Sequence, residues 1–257
     1  MTETKGTKSI HRAIDILEVL AANLKGISLA ELAQIVGVPK PSVHRILHSL
    51  IDRQLVREDP ELEKFTLGMG VLRLSQSVLA GIELRQQARP VLENLNLSTD
   101  ETVHLGILDN QGPRVIYIDK IESSQSVRLV SRVGQSIPVH CTALGKALLS
   151  GYTRPDIETM LANYAFTPYT PNTITSMGAL LDQLELVRSQ GYAVDEVEHE
   201  QSVICVASPI LDGAGRAIAA VSISAPVSRL PKESISSVGT EVRVAAEEIS
   251  EIIRLFL

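Results

Sequence analysis

The chain has 257 residues, which predicts one large or two ordinary domains, and 44% of its residues are apolar. Aromatic residues make up only 3% and Trp is absent, which argues against a stacking surface for single-stranded nucleic acids. Residues 1–64 contain nine basic and nine acidic residues, so the net charge of −6 arises after Lys64. The second part of the chain is therefore acidic and is not expected to bind DNA.

No basic-then-apolar leader opens the chain, and its longest apolar stretch, residues 203–227, does not read as a membrane span. Four residues interrupt that stretch: Asp212, Gly213, Gly215 and Arg216. The two cysteines, Cys141 and Cys205, lie far apart in the sequence. Together these features predict free thiols, a cytoplasmic location and no membrane association.

The first predicted element is a helix over residues 10–22. Apolar residues recur in it at helical spacing, so we expect them to face a core. These residues are Ile10, Ile14, Leu17 and Leu20 or Ala21.

Two helices joined by a tight turn are predicted next. Ser28, with Glu31 three residues later, is a capping-box pattern that begins the first of them, and Gly37 can adopt the positive φ that ends it. The second helix begins at Pro39 or at Ser42, since either residue suits a helix start. Its predicted buried face consists of Val43, Ile46, Leu47, Leu50 and Ile51, and its opposite face of Lys40, Ser42, His44, Arg45 and His48.

Two short strands, residues 55–57 and 64–67, are predicted to form a hairpin after the second helix, with the acidic residues 58–61 at its tip. Helix, turn, helix and hairpin is the order of a winged helix-turn-helix, whose second helix fits the major groove of DNA. Amphipathic helices also occur in other small helical domains, so the pattern alone does not establish DNA binding. Residues 36–57 carry four basic side chains against one acidic one, which favours contact with phosphates.

We expect residues 1–69 to form a DNA-binding domain that reads double-stranded DNA at a pseudo-palindromic operator. Arg45 is the best candidate for reading a base, although it could equally hold a phosphate, and Arg53 and Lys64 are better suited to the DNA backbone. The predicted DNA contacts are Lys40, Ser42, His44, Arg45, Arg53 and Lys64.

A linker helix is predicted over residues 70–95 and a second domain over residues 96–257. Its predicted strands are residues 102–108, 115–121, 127–133, 192–197, 203–210 and 217–225. Its predicted helices are residues 143–149, 154–164, 176–190 and 231–257. Strands, then helices, then strands and a final helix predict an α+β domain around a mainly antiparallel sheet.

This layout resembles the IclR family of bacterial transcriptional regulators over nearly the whole chain. In the first domain the resemblance rests on ISLAELAQIVGVPKPSVHRILHSL and KFTLG. In the second it rests on IPVHCTALGKALL, GYAVDEVEHEQSVICVASPI and GRAIAAVSISAP. ETVHLGILD and VIYIDKIES are similar to the branch that responds to sugar acids such as 2-keto-3-deoxygluconate.

The resemblance implies a GAF-like effector-binding domain with a pocket for a small carboxylate or sugar acid. It further implies a repressor of a catabolic operon, assembled as a homodimer or tetramer. Carried over residue by residue, the pocket consists of Ala143, Leu144, Gly145, Asp195, Cys205, Ser222 and Ser224. The sequence departs from the family at residues 200–202, which are Glu-Gln-Ser where many members have Glu-Glu-Gly.

The residue types of this pocket suit a carboxylate. Residues 142–146 begin a helix, whose free N–H groups can bind an anion. Ser222 and Ser224 are two residues apart and therefore lie on the same face of one strand. Further candidates for ligand contact are Arg128, Arg132, His104 and Tyr117.

Two other functions remain open at this point. An enzyme could use Cys205 or Cys141 with His199, His140 or Asp195, but neither thiol lies in a recognisable nucleophile motif. A metal-responsive regulator could use the same His and Cys residues with nearby carboxylates, but no close Cys-x-x-Cys or His-x-x-x-His spacing is present. No catalytic residue, metal ligand or cofactor is therefore predicted.

Overall fold

A computed structural model describes residues 8–80, 83–109, 111–127 and 129–254, with the backbone alone described for residues 76–80. The chain divides into two compact units, Met1–Gly81 and Ile82–Leu257. This division falls inside the predicted linker of residues 70–95, so the domain boundaries 1–69, 70–95 and 96–257 remain a prediction.

The first unit is a winged helix-turn-helix with a small core. Its helices are α1 (Lys8–Ala22), α2 (Leu29–Val36), α3 (Lys40–Asp52) and α4 (Met69–Ala80). Its strands are β1 (Ile27–Ser28), β2 (Val56–Asp59) and β3 (Lys64–Leu67), which form an antiparallel sheet in the order β1-β3-β2. Leu32, Val43, Leu47 and Phe65 are buried between the helices and this sheet.

The helix boundaries in this unit follow from local capping. The Ser28 hydroxyl accepts the N–H of Glu31, and the Glu31 carboxylate accepts the N–H of Ser28 at 3.0 Å, so the predicted capping box is confirmed. Gly37 ends α2 with φ 66°. Pro39, not Ser42, is the residue before the first turn of α3.

The predicted core face of the first helix is wrong in part. Ile10 and Ile14 are 58% and 48% exposed, whereas Ile16 and Leu20 are buried. Apolar residues occupy more than one face of α1, so helical periodicity fits two orientations. Packing against α2 and α3 selects the face that carries Ile16.

The tip of the wing is also shifted from its predicted position. Glu58 and Asp59 belong to β2, where they pair with Phe65 and Lys64, and the turn consists of residues 60–63. The Asp59 carboxylate accepts the N–H of Glu61 at 3.1 Å, which holds the turn after the strand.

The second unit is an α+β domain around a six-stranded antiparallel sheet, as predicted. Its strands are β4 (Thr102–Leu108), β5 (Arg114–Ile121), β6 (Ser136–Pro138), β7 (Ala193–Glu196), β8 (Val203–Leu211) and β9 (Ala217–Pro226), in the order β6-β5-β4-β9-β8-β7. Its helices are α5 (Glu83–Thr99), α6 (Ala143–Ser150), α7 (Arg154–Met160), α8 (Met177–Gln190) and α9 (Ile235–Arg254), with a 3₁₀ turn at Lys232–Ser234. One face of the sheet packs against α5 and α9, and the other against α6 and α8.

The predicted strand of residues 127–133 is wrong. Its described residues lie outside the sheet, and the place beside β5 is taken by β6, which was not predicted. The Lys120 ammonium donates to the carbonyl of Ser131 at 2.9 Å, so side chains satisfy this backbone where a strand ladder would otherwise do so.

A buried ion pair joins α6 to the loop that follows β7. Lys146 is fully buried, and its ammonium donates to Oε1 of Glu198, which is itself 7% exposed. Within the described part of the chain, Glu198 Oε2 has no hydrogen-bond partner. The Thr173 hydroxyl donates to the Glu198 carbonyl at 2.6 Å, which fixes this loop further.

Substitution of Lys146 by Met is expected to lower the free energy of unfolding of the second unit by about 3–5 kcal/mol, because the Glu198 carboxylate is left buried without its cation. All five tyrosines of the chain lie in the second unit, so urea unfolding followed by tyrosine fluorescence measures this unit selectively. Lys232→Met is the control, because Lys232 forms a solvent-exposed pair with Glu196 and its loss is expected to lower the free energy of unfolding much less than the loss of Lys146. Equal losses in the two variants would contradict the role of burial.

Candidate functional site

The exposed face of α3 is the first candidate site. Lys40, His44 and Arg45 are exposed and Ser42 is partly exposed, all within the first two turns of the helix. The imidazoles of His44 and His48 lie next to each other, with ring centroids 4.4 Å apart. These side chains stand on the side of α3 opposite its buried residues, as a helix lying in a groove requires.

The structure places the other two predicted DNA contacts elsewhere. Arg53 follows the last turn of α3, about 18 Å along the helix from its start. Lys64 lies on the central strand of the small sheet, where it pairs with Ser28 and Asp59. The hydrogen bond from Ser28, with a smaller contribution from Lys64, lowers the pKa of the Glu31 carboxyl. The six residues therefore do not form one patch.

The second candidate site is a cavity between the start of α6 and the sheet. Six of the seven predicted effector residues line it: Ala143, Leu144, Asp195, Cys205, Ser222 and Ser224. Gly145 does not line it. A Cβ atom at Gly145 would lie 2.3 Å from the Val139 carbonyl oxygen, so this glycine allows the close approach of α6 to the preceding chain.

Strand register brings the polar wall of the cavity together. Asp195 on β7 lies opposite Cys205 on β8, and Cys205 lies opposite Ser224 on β9. Ser222, two residues before Ser224, extends the same face towards His104 on β4. The consecutive strands β7, β8 and β9 thus supply one row of side chains, which lies beside the distant strand β4.

Several cavity residues were not predicted as pocket residues. They are Leu129, Ile137, Thr142, His199, Glu200 and Val203. Val203 could have been inferred, because it precedes Cys205 by two residues on the same strand face. Leu129 and His199 lie in irregular segments, where periodicity carries no signal. Tyr117, named above as a further candidate, also lines the cavity.

The departure from the family at residues 200–202 has a backbone consequence. Ser202 has φ 64°, in the left-handed region that glycine adopts without strain. Its carbonyl accepts the N–H of Val227 at 3.0 Å, so the loop keeps this conformation although a serine occupies it.

Two carboxyl groups, the buried Asp195 and the more exposed Glu200, determine the electrostatics of the cavity. Burial raises the pKa of Asp195 to about 7, even though its carboxylate accepts the N–H of Glu198 at 2.7 Å. Burial also raises the pKa of Glu200. Among the described residues, no Lys or Arg side chain lines the cavity. Arg132 is exposed to solvent, and Arg128 lies outside the described residues.

The start of α6 supplies neutral hydrogen-bond donors. The Thr142 hydroxyl accepts the N–H of Gly145 at 3.2 Å and donates to the Pro138 carbonyl at 2.6 Å. The N–H groups of Ala143 and Leu144 belong to the first turn, where helix geometry provides no partner inside the helix. Such a helix start can bind an anion.

The cavity has little free volume in this structure, although Glu200 on its lining is exposed and Cys205 is partly exposed. Its free volume is about 30 Å³, which holds about two water molecules. A larger molecule therefore requires one wall to move.

The residues invoked for metal binding or thiol catalysis are engaged otherwise. The Nδ1 atom of His140 accepts a hydrogen bond from the Tyr164 hydroxyl at 2.7 Å, and its Nε2 atom donates one to the Thr167 carbonyl at 3.1 Å. Both ring nitrogens are therefore hydrogen-bonded within the protein. Burial raises the pKa of both the Cys141 and the Cys205 thiol, which disfavours the reactive thiolate. Over the described residues, no group of three or more His, Cys, Asp or Glu side chains is placed to hold a metal ion.

A membrane-spanning helix is likewise not found: none of the described helices is both long and apolar enough to cross a bilayer.

Comparison with known proteins places both units in one family. Residues 9–60 match the IclR helix-turn-helix domain, and residues 76–251 match the C-terminal domain of IclR bacterial transcriptional regulators. The chain is 35% identical over 243 residues to the HTH-type transcriptional regulator KdgR of Dickeya chrysanthemi, covering 95% of this chain and 79% of that protein. It is 32% identical over 254 residues to the HTH-type transcriptional repressor AllR of Salmonella typhimurium, covering 99% and 93%.

A solved structure supports the same assignment. The crystal structure of the Thermotoga maritima IclR aligns with a TM-score of 0.79 at 31% identity, covering 96% of this chain and 99% of that one. The domain order and the fold of each unit agree with these matches. The chain belongs to the IclR family and is a DNA-binding transcriptional regulator rather than an enzyme.

Proposed function

We propose that this regulator is a cytoplasmic repressor of a catabolic operon, released from or recruited to its operator by a small organic acid. The cavity beside α6 carries this proposal, because it combines a helix start with neutral donors and is lined by six of the residues that the family resemblance assigns to the effector. The similarity of the whole chain to the repressor AllR supports a role as a repressor. Its similarity to KdgR supports the sugar-acid branch.

The proposed DNA contacts are Lys40, Ser42, His44, Arg45, Arg53 and Lys64. The first four stand on the exposed side of α3 and suit the major groove, with Arg45 as the base reader. Arg53 and Lys64 are separate from this group and suit phosphates on either side of it. A homodimer or tetramer would present two such helices to the half-sites of a pseudo-palindromic operator.

The proposed effector contacts are Ala143, Leu144, Gly145, Asp195, Cys205, Ser222 and Ser224. The N–H groups of Ala143 and Leu144 would hold the effector carboxylate, and Gly145 acts by allowing the packing that positions them. Ser222 and Ser224 would bond to its oxygens. Asp195 would accept from a hydroxyl of a sugar acid, since a carboxylate placed against its ionised form would be repelled.

Control of DNA binding follows from differential affinity. An effector changes operator binding only if it binds one arrangement of the protomers better than the other, and the coupling is reciprocal. A metal-responsive regulator is the alternative proposal, but no observation favours it.

Arg45→Ala is expected to weaken operator binding about tenfold or more while leaving the fold intact, because the side chain is exposed and contributes no core contact. The measurement is a gel-shift titration at fixed salt, on DNA selected from a random-sequence library by the unaltered protein. Arg154→Ala is the control, since Arg154 is exposed on α7 in the second unit. Unchanged affinity for Arg45→Ala would exclude this docking.

Small organic acids are expected to raise the thermal unfolding midpoint, and to do so more at pH 6 than at pH 8. Below pH 7 Asp195 carries a proton, whereas above it the ionised carboxylate repels the ligand. A thermal-shift screen of small carboxylates and sugar acids at both pH values measures this.

In Asp195→Asn the difference between the two pH values should shrink, because the side chain no longer ionises. If none of the acids shifts the midpoint at either pH, the cavity is not the effector site for this class.

A further inference from the structure

One wall of the cavity is an irregular segment rather than a strand or helix. Residues 129–135, the cover segment, contribute Leu129, which lines the cavity and is partly exposed to solvent. Ser131 points inward and is 9% exposed, while the neighbouring Val130 is 82% exposed. Leu129 thus lines the cavity, Val130 faces solvent and Ser131 contacts His104 of the sheet, although the segment itself has no place in the sheet.

Hydrogen bonds hold the chain at and next to the two ends of the cover segment. At its C-terminal end, the backbone N–H of Gly134, which has φ 85°, donates to the Tyr117 carbonyl at 2.8 Å. The backbone N–H of Tyr117 donates to the Gln135 carbonyl at 3.1 Å. Just before its N-terminal end, Arg229 donates to the Val127 carbonyl at 2.9 Å.

The middle of the cover segment is held by two side chains from the sheet. The Lys120 ammonium donates to the carbonyls of Ser131 and Leu129 at 2.9 and 3.4 Å. The His104 imidazole forms a hydrogen bond of 2.7 Å between its Nε2 and the Ser131 hydroxyl. A few such bonds are easier to break than a strand ladder, so this wall opens at the lowest cost.

His104 also contacts the opposite side of the cavity. Its ring stacks on Tyr117 with centroids 4.5 Å apart, and its Nδ1 lies 3.5 Å from the Ser224 hydroxyl. Burial lowers the pKa of His104 to about 3, so the ring is neutral and has one donor and one acceptor nitrogen. A change in the hydrogen bond between Nδ1 and Ser224 can therefore change which ring nitrogen carries the proton, and with it the hydrogen bond between Nε2 and Ser131.

We propose that the cover segment opens to admit the effector and that the hydrogen bond between His104 and Ser131 latches it shut. A free volume of about 30 Å³ requires such an opening for anything larger than about two water molecules. His104 makes the latch responsive to occupancy, because Tyr117 and Ser224, both of which it contacts, line the cavity. The proposal rests on the proposed function in one respect, that the cavity admits a small molecule.

The thiol of Cys205 measures opening without any effector, since it lines the cavity. We expect Ser131→Ala to raise its rate of alkylation by iodoacetamide about twofold to tenfold in the full-length protein, which is the effect of losing one hydrogen bond. Cys141 is fully buried and does not line the cavity, so its rate in the same sample reports unfolding of the domain. Val130→Ala, in the same segment but facing solvent, should leave the Cys205 rate unchanged. Mass spectrometry resolves the two sites.

Lys120→Met provides a second variant. It is also expected to raise the alkylation rate of Cys205, because the carbonyls of Leu129 and Ser131 lose their donor. The proposal is overturned if Cys205 of the unaltered protein reacts as fast as a free thiol, if Ser131→Ala and Lys120→Met leave its rate unchanged, or if the Cys141 rate rises in parallel. A thermal-shift screen in which no acid raises the midpoint would count against the proposed effector class. It would not affect the alkylation result, so the two proposals can be tested independently.

Discussion

The geometry of the cavity depends on the buried pair of Lys146 and Glu198. The pair ties α6, whose start forms one wall, to Glu198 in the loop after β7. The N–H of Glu198 donates to the carboxylate of Asp195 on β7, which forms another wall. Between Asp195 and Glu198 the chain passes through Val197 at φ 60°, a conformation that costs a β-branched residue about 1–3 kcal/mol. The Thr170 hydroxyl donates to the Val197 carbonyl at 2.6 Å and helps to hold the loop in this strained form. The ion pair therefore helps to hold both walls in place.

A carboxylate ligand in this cavity would be held by dipoles rather than by a side-chain cation. Its neutral donors come from a helix start and from serines on one strand face, and a carboxyl group titrating near neutrality lies beside them. Preorganised N–H groups can bind an anion in a site that excludes water, where they gain strength from the low local dielectric. Such a site favours small acids that carry a hydroxyl group beside Asp195, because the oxygens of Asp195 accept hydrogen bonds from hydroxyls, whereas its ionised form repels a carboxylate placed against it.

The net charge of the DNA-binding unit is close to zero. Equal numbers of acidic and basic residues in residues 1–64 give little long-range attraction to DNA. In the proposed docking, affinity comes from a few basic side chains on α3, and specificity from the base edges that they reach. The wing adds Lys64 at a distance from these residues, on the central strand of its sheet.

The sequence alone determined the local structure and the family. Ser28 and Gly37 define the ends of α2 because caps act within one helical turn, and most strands were predicted because alternation is also local. The cavity residues came from the family motifs rather than from periodicity. The tertiary structure decided what depends on contacts between distant segments: which face of α1 is buried, why residues 129–133 stay outside the sheet, and the burial of Lys146. A lysine is normally predicted at the surface, and only its partner, 52 residues further along the chain, makes the buried position tolerable.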